Sequence, residues 1–521
     1  MFKSKKVLLL LSLILVFALV AVGCSSPEAP AGGEEVVEGE VTESKTVLVV
    51  GQGADAVSLD PHATNDQPSS RVSKQIYDTL VEQDQNMALQ PGLATSWEEI
   101  DELTFEFTLK QGVVFHNGEA FTANDVKFTL LRALESTHIG HIVGQIDPEG
   151  IEIIDDHTIR ISTTEPFAPL LAHLAHTATA MLNETAVTEA GEDYGQHPIG
   201  TGPFVFDKWN TGDSIELLRN DNYHGEAPKI EKVIMRSITE NANRTIELET
   251  GQIDIAYDIS PNDVNRVEAH DDLILLRQPN FSTAYVGFNV AKEPYNDVRV
   301  RQAINYAVDM EAIVEAVYQG VGAPAKGPLG PNVWASNQSL EEYGFDQEKA
   351  KELLAEAGYP EGFKTTLWTN QNQQREDIAT IVANQLGQIG IEAEISVVEW
   401  GTYLEDTAAG KHDMLIMGWT TVTGDPDYGL YSLFHSKSTG TAGNRSFYGN
   451  DRVDELLDLG RRSADPVERE AYYMEAQVII RDEAPWIFTW SGEDLNGTQS
   501  DVRGFVPHPA GHHKLHGVYF E

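Results

Sequence analysis

The stretch PGLATSWEEIDELTFEFTLKQGVVFHNGEAFTANDVKFTLLRAL, Pro91 to Leu134, decides the fold. Leu103, Phe105, Phe107 and Leu109 alternate with polar residues at period two, which predicts a half-buried strand that Gln111-Gly112 turns. A second strand is expected over Val113 to His116, closed by Asn117-Gly118. Thr122 then stands where a helix cap belongs, with Asp125 three residues on, so a helix is predicted over Ala123 to Leu134. Strands and a capped helix within 44 residues read as mixed α/β layers.

Outward from this block the alternation continues. Lys45 to Gly51 reads as a strand, Arg71 to Glu82 as a helix, and Ile304 to Val317 as an amphipathic helix with apolar residues at i, i+3 and i+4. Further helices are expected over Lys349 to Ala357, Ile378 to Ile389 and Val453 to Leu459, with strands at Lys364 to Trp368 and Ile391 to Val398. Gly51 to Ala56 superficially matches a dinucleotide fingerprint. Val57-Ser58-Leu59-Asp60-Pro61 forbids the helix that fingerprint needs. Gly200, Gly202 and Pro203 place free and rigid backbone side by side, which suits a hinge.

The N-terminus carries Lys3, Lys5 and Lys6, then an apolar run from Val7 to Val22 broken only by Ser12. A run this short, followed by small residues, predicts an export signal over 1–23 rather than a membrane-spanning helix. Residues 24–46 hold six glutamates and few large apolar side chains, which predicts an acidic disordered tether. With 36 basic and 81 acidic residues the chain carries a net charge of −45. That excludes ordinary nucleic-acid binding, which needs basic surface to replace phosphate counterions. Cys24 is the sole cysteine, so no internal disulfide can form.

The stretch DMLIMGWTTVTGDPDYGLYSLF, Asp413 to Phe434, offers the most ligand-like chemistry. An apolar run, Met414 to Met417, predicts a buried strand delivering the chain into a loop with the Trp419 ring, the hydroxyls of Thr420, Thr421 and Thr423, and the carboxylates Asp425 and Asp427. Nothing there pairs a nucleophile with a base, so the loop reads as a receptor rather than a catalyst. His-Glu-x-x-His, Gly-x-Ser-x-Gly and Walker loops are absent from the whole chain. His508, His512, His513 and His516 cluster near the C-terminus, but in a Pro/Gly-rich segment without metal-site spacing, and neither a metal nor a cofactor is expected.

The Pro91–Leu134 block resembles the signature of the family 5 extracytoplasmic solute-binding proteins, which serve peptide and nickel ABC importers. Pro198 to Phe204, Pro279 to Val317, Trp419 to Phe434 and Arg481 to Trp490 resemble further motifs of that family in its order. The resemblance implies a two-lobed periplasmic-binding-protein-like α/β fold with an extra domain, hinged lobes and central mixed sheets. It implies a first lobe from 47–80, 200–286 and 497–521, an extra domain over 81–199, and a second lobe over 287–496. Ala21 to Cys24 resembles a lipobox, which implies lipid attachment at Cys24 and anchoring on the outer face of the cytoplasmic membrane, at the cell surface or in the periplasm.

The family further implies a monomeric, non-enzymatic receptor that takes a small peptide or peptide-like solute into an interlobe cleft. Delivery would be to an ABC permease driven by its ATPase subunits. Implied cleft walls are Trp400, Tyr285, Trp490 and Trp419, each of which could equally be core, and Arg375 is the candidate partner for a ligand carboxylate. Dipeptide receptors of the family hold the ligand amine with an aspartate in the loop after the tryptophan. Here Val422 stands at that position, so Asp425 or Asp427 is expected to substitute, unless the carboxylate comes from elsewhere or the solute lacks a free α-amine. The alternatives are a nickel or metal-chelate receptor using His62, His116 or the C-terminal histidines, and a surface lipoprotein that binds proteins.

Overall fold

The structure is a computed structural model and describes residues 45–521. The export signal, Cys24 and nearly all of the expected tether lie outside those residues. Within them the architecture is α/β, with two large mixed sheets and a smaller antiparallel one. The seven-stranded sheet runs in the order Leu273–Pro279, Glu493–Gln499, Ile255–Ala256, Val47–Gln52, Lys232–Ser237, Ser214–Arg219, Phe204–Asn210. The six-stranded sheet runs Ala323–Pro324, Trp486–Ser491, Ser282–Phe288, Met414–Thr420, Lys364–Asn370, Glu392–Val398. A four-stranded sheet orders Ala94–Asp101, Thr104–Leu109, Thr158–Thr163 and Ile146–Asp155.

Each sheet anchors its own core. Phe107, Leu109, Ile159 and Ile161 sit under the four-stranded sheet, together with Val126 and Leu130 of its helix. Leu48, Val50, Leu217 and Val233 fill the core of the seven-stranded sheet, and both faces of the six-stranded sheet are covered by buried side chains. The chain passes between the two large sheets at two adjacent places. The Leu273–Pro279 strand continues through Asn280 and Phe281 into Ser282–Phe288, and Trp486–Ser491 returns through Gly492 into Glu493–Gln499. Asn280 donates its backbone N–H to the Gly492 carbonyl, at 3.3 Å, so the two crossings lie side by side.

The helix opening at Ala123 runs to Glu135, and its Thr122 and Asp125 form the expected reciprocal cap: Asn124 donates to Thr122 Oγ1 and the Thr122 backbone N–H donates to Asp125. Thr122→Ala is expected to lower stability by about 1 kcal/mol, the usual worth of such a cap. A urea midpoint unchanged from the parent protein would show that the cap contributes nothing.

Four segments depart from expectation. The helix placed at Arg71 to Glu82 is Gln67–Ile76, because Asp66 caps it earlier and Pro68 starts its first turn. Val113 to His116 forms only an isolated bridge, Val114 with Ala120. Ile304 to Val317 is two helices, Val298–Ala307 and Met310–Tyr318, since Asp309 leaves the helix and caps the second one through the Ala312 N–H. The glycines at 200 and 202 do not join the two large sheets. They press against the end of the Gln67–Ile76 helix, where a Cβ on either would strike the Ile76 carbonyl, so their lack of a side chain serves close approach.

Candidate functional site

A cavity of about 360 Å³ lies between the two large sheets, within the size range of small-molecule sites. Its six-stranded side is built by strand ends and helix starts. Met414–Thr420 delivers Gly418, Trp419 and Thr420, the Gln373–Gly387 helix brings Arg375 in its first turn, and the Trp400–Ala408 helix begins at Trp400. The seven-stranded side supplies Asp66 and Arg71 from the Gln67–Ile76 helix and its cap, together with Asp258, and Asp494 from the returning strand. His176 and His512 complete the wall.

Of the residues singled out from sequence, Trp419, Thr420, Val422, Trp400, Trp490 and Arg375 line the cavity. Thr421, Asp425, Asp427 and Tyr285 do not. Tyr285 is buried against Trp486, with ring centroids 3.5 Å apart and planes 3° from parallel. Asp425 caps the Pro426–Phe434 helix and takes Arg469 at 2.8 Å. Asp427 is buried and accepts from Arg461 Nε at 3.1 Å and Nη2 at 2.9 Å, with His173 Nε2 at 3.3 Å. Burial pushes Asp427 up, but Arg461 and then His173 outweigh it and hold the carboxyl well below its usual range. Both loop carboxylates are thus spent on arginines. Val422 packs with Tyr428 into the core of the four-stranded sheet's unit, so an apolar side chain there serves packing.

Arg375 donates to Asn370 Oδ1 at 2.7 Å and lies 5.7 Å from the Trp400 ring centroid, which holds its guanidinium in place. No carboxylate among the described residues pairs with it. Trp400 itself reaches the other side, donating from Nε1 to Asp66 at 3.2 Å, so the two sides are in contact. Further bonds join the sides of the molecule, among them Asn65 with the Tyr428 hydroxyl at 3.1 Å and Gln83 Nε2 to the Thr423 carbonyl at 2.7 Å. Trp490 stacks on Tyr318 at 4.4 Å and donates to the Val321 carbonyl, so it walls the cavity with a fixed ring face.

Sequence reasoning did not single out Arg71, Asp258, Asn280, Arg445 or Asp494. Arg71 and Asp258 form a bidentate pair at 2.7 and 2.9 Å. Arg445 is buried with its Nε on Thr407 Oγ1 at 3.2 Å and has no carboxylate partner among the described residues. Trp419, Thr283 and His176 line the same space, while their Nε1, Oγ1 and Nε2 atoms are themselves buried without a protein partner. The histidines raised for nickel do not converge. His116 bonds the Gly202 carbonyl, His513 lies against Tyr257, only His512 of the C-terminal four reaches the cavity, and no metal-holding group of His, Cys, Asp or Glu occurs among the described residues.

The profile described as bacterial extracellular solute-binding proteins, family 5, middle, matches residues 88–441. The glutathione-binding protein GsiB of Salmonella typhi is 34% identical over 450 residues, covering 84% of this chain and 88% of that protein. Among solved structures, the periplasmic binding protein DppA of Helicobacter pylori, in complex with the peptide STSA, superposes with a TM-score of 0.86 at 32% identity, covering 92% of this chain and 98% of that one. The dipeptide-binding protein of Pseudoalteromonas sp. SM9913, in complex with Met-Leu, gives a TM-score of 0.88 at 26% identity, covering 91% and 100%.

Proposed function

The chain belongs to family 5 of the bacterial extracellular solute-binding proteins, which are transport components and not enzymes, and from that membership we propose that its cavity captures a small peptide or peptide-like solute for an ABC importer. The observation that carries this reading is Arg375: a guanidinium held in the cavity wall with no carboxylate of its own. Arginine presents a planar fork of donors that matches a carboxylate, so a peptide's terminal carboxylate is the natural partner. Trp419 and Trp490 line the same cavity, and indole rings suit a peptide plane or side chain.

The solute would then be handed to a membrane permease powered by its ATPase subunits, with the receptor acting as a monomer tethered outside the cytoplasmic membrane through a lipid on Cys24. We place the flexing points at the two neighbouring crossings, Asn280-Phe281 and Gly492, where few backbone angles need to change. The bodies expected from sequence, a first lobe from 47–80, 200–286 and 497–521, a unit over 81–199 and a second lobe over 287–496, are kept as a proposal with the limits at 286/287 and 496/497 drawn back to these crossings, because Ser282–Phe288 and Glu493–Gln499 each belong whole to one sheet. Titration calorimetry with glutathione and tri-alanine tests the reading, and heat of binding to at least one is expected. Absence of binding to both, and to a wider peptide panel, would sink it.

Arg375→Ala is expected to weaken carboxylate-ended peptides roughly tenfold to a hundredfold, the worth of a charge-assisted hydrogen-bond pair. The same peptides amidated at the C-terminus should bind parent and variant alike. An equal loss for both forms would assign Arg375 a role in cavity shape only.

A further inference from the structure

Four carboxylates line the cavity, and their partners differ. Asp66 is committed to its helix: it accepts from Thr64 Oγ1 at 2.7 Å and the Ser69 N–H at 3.3 Å, besides Trp400. Asp258 is filled by the two nitrogens of Arg71, and Glu493 takes Arg277 at 2.7 Å. Neither Asp66 nor Asp494 has a cation at ion-pair distance among the described residues, but the three neutral donors on Asp66 fill it, whereas Asp494 is nearly unpartnered. It accepts one hydrogen bond, from Asn280 Nδ2 at 3.0 Å, which leaves most of its lone pairs unused.

The position is as telling as the vacancy of charge. Asp494 sits on the returning strand two residues after Gly492, and Asn280 sits in the other crossing, so this carboxylate stands where the two sides of the molecule join. Arg375 belongs to the six-stranded side and Asp494 to the seven-stranded side. A solute with an ammonium at one end and a carboxylate at the other would therefore bridge the two sides.

We propose that Asp494 receives the ammonium group of the bound solute, replacing the loop carboxylate that Val422 leaves missing. This rests on the reading of the cavity as a peptide-like solute site. Burial pushes the Asp494 carboxyl up to about 7, with Asn280 opposing and the neighbouring Asp258 charge adding to the rise. An arriving ammonium would offset the burial that causes that rise, because a neighbouring positive charge favours the ionised carboxylate. Glutathione is a molecule of this kind, carrying one ammonium and two carboxylates, and Arg375 and Arg445 are two cavity cations without carboxylate partners.

The test compares each peptide with its isosteric analogue lacking the amine: glutathione with glutaryl-cysteinyl-glycine, and tri-alanine with propionyl-alanyl-alanine. Calorimetry on the parent protein is expected to show at least tenfold preference for an amine-bearing form. In Asp494→Asn that preference should vanish while the amine-free form binds as it does to the parent, which shows the variant is folded. A variant that keeps the preference would overturn the assignment. Equal binding of both forms by the parent would overturn it too, while leaving solute capture standing. If the parent bound none of the four, the capture reading itself would fall.

Discussion

Asp427→Ala should destabilise the protein by roughly 3–5 kcal/mol, the cost of leaving one partner of a buried ion pair alone. Arg461 shows 4% side-chain exposure and Asp427 1%, and the guanidinium is enclosed by the Tyr431 ring at 3.5 Å and the Phe167 ring at 5.0 Å. With the carboxylate gone, that nearly buried cation has no second acid at ion-pair distance among the described residues, and His173 loses the acceptor facing its Nε2. The loss should be structural in a specific way. His173 and Phe167 belong to the unit built on the four-stranded sheet, whereas Asp427 and Arg461 come from the helices Pro426–Phe434 and Asp451–Arg462 beyond the six-stranded sheet, so the cluster ties those parts together. Adding Arg461→Met to Asp427→Ala should restore part of the stability, because it removes the stranded charge. Urea unfolding of the two variants measures this. A single variant within about 0.5 kcal/mol of the parent, with peptide affinity lost instead, would return Asp427 to the role its loop suggested.

That contrast shows what could be read from the sequence and what could not. The helix at Ala123 was legible because its cap, Thr122 and Asp125, is local and the apolar spacing behind it is regular. The strand leading into Trp419 was legible for the same reason, as an uninterrupted apolar run ending in glycine. Asp427 was not, because its chemistry is fixed by Arg461, 34 residues away, and by His173 on a different sheet's unit. Nothing near Asp427 in the chain distinguishes an acid held by a distant arginine from one open to a ligand. Tyr285 failed similarly: whether it faced the cavity or Trp486 depended on which side of a doubly paired strand it took. Asp494, in Gly-Glu-Asp after a tryptophan strand, carried only the mark of a turn. Its meaning comes from the adjacent crossing, which brings Asn280 beside it across 214 residues.

Lowering the pH from 7 to 5 should cost the unliganded protein at least about 3 kcal/mol of stability, and the histidines are the reason. Burial drives His62, His412 and His508 down to about 4, and His141 and His513 to about 3. In the unfolded chain each takes up a proton near 6.5. Between about 6.5 and 4 the unfolded state therefore binds more protons than the folded one, and stability falls as pH falls. Asp258 and Asp427, held low by Arg71 and Arg461 against the opposing effect of burial, extend the loss below about pH 4, where unfolded carboxylates protonate first. Asp494 acts in the other direction. Its folded value near 7 lies above the unfolded one, so it contributes stability at low pH that is lost as pH rises from about 4 to 7. One carboxyl against five histidines does not reverse the slope. Asp494→Asn, by removing that opposing group, should raise stability at pH 7 and above by about 1–3 kcal/mol and steepen the decline toward pH 5. Urea midpoints at pH 5, 6, 7 and 8 for both proteins measure the two effects. A parent midpoint that stays level or rises on acidification would mean that the buried imidazoles open to water before the fold yields.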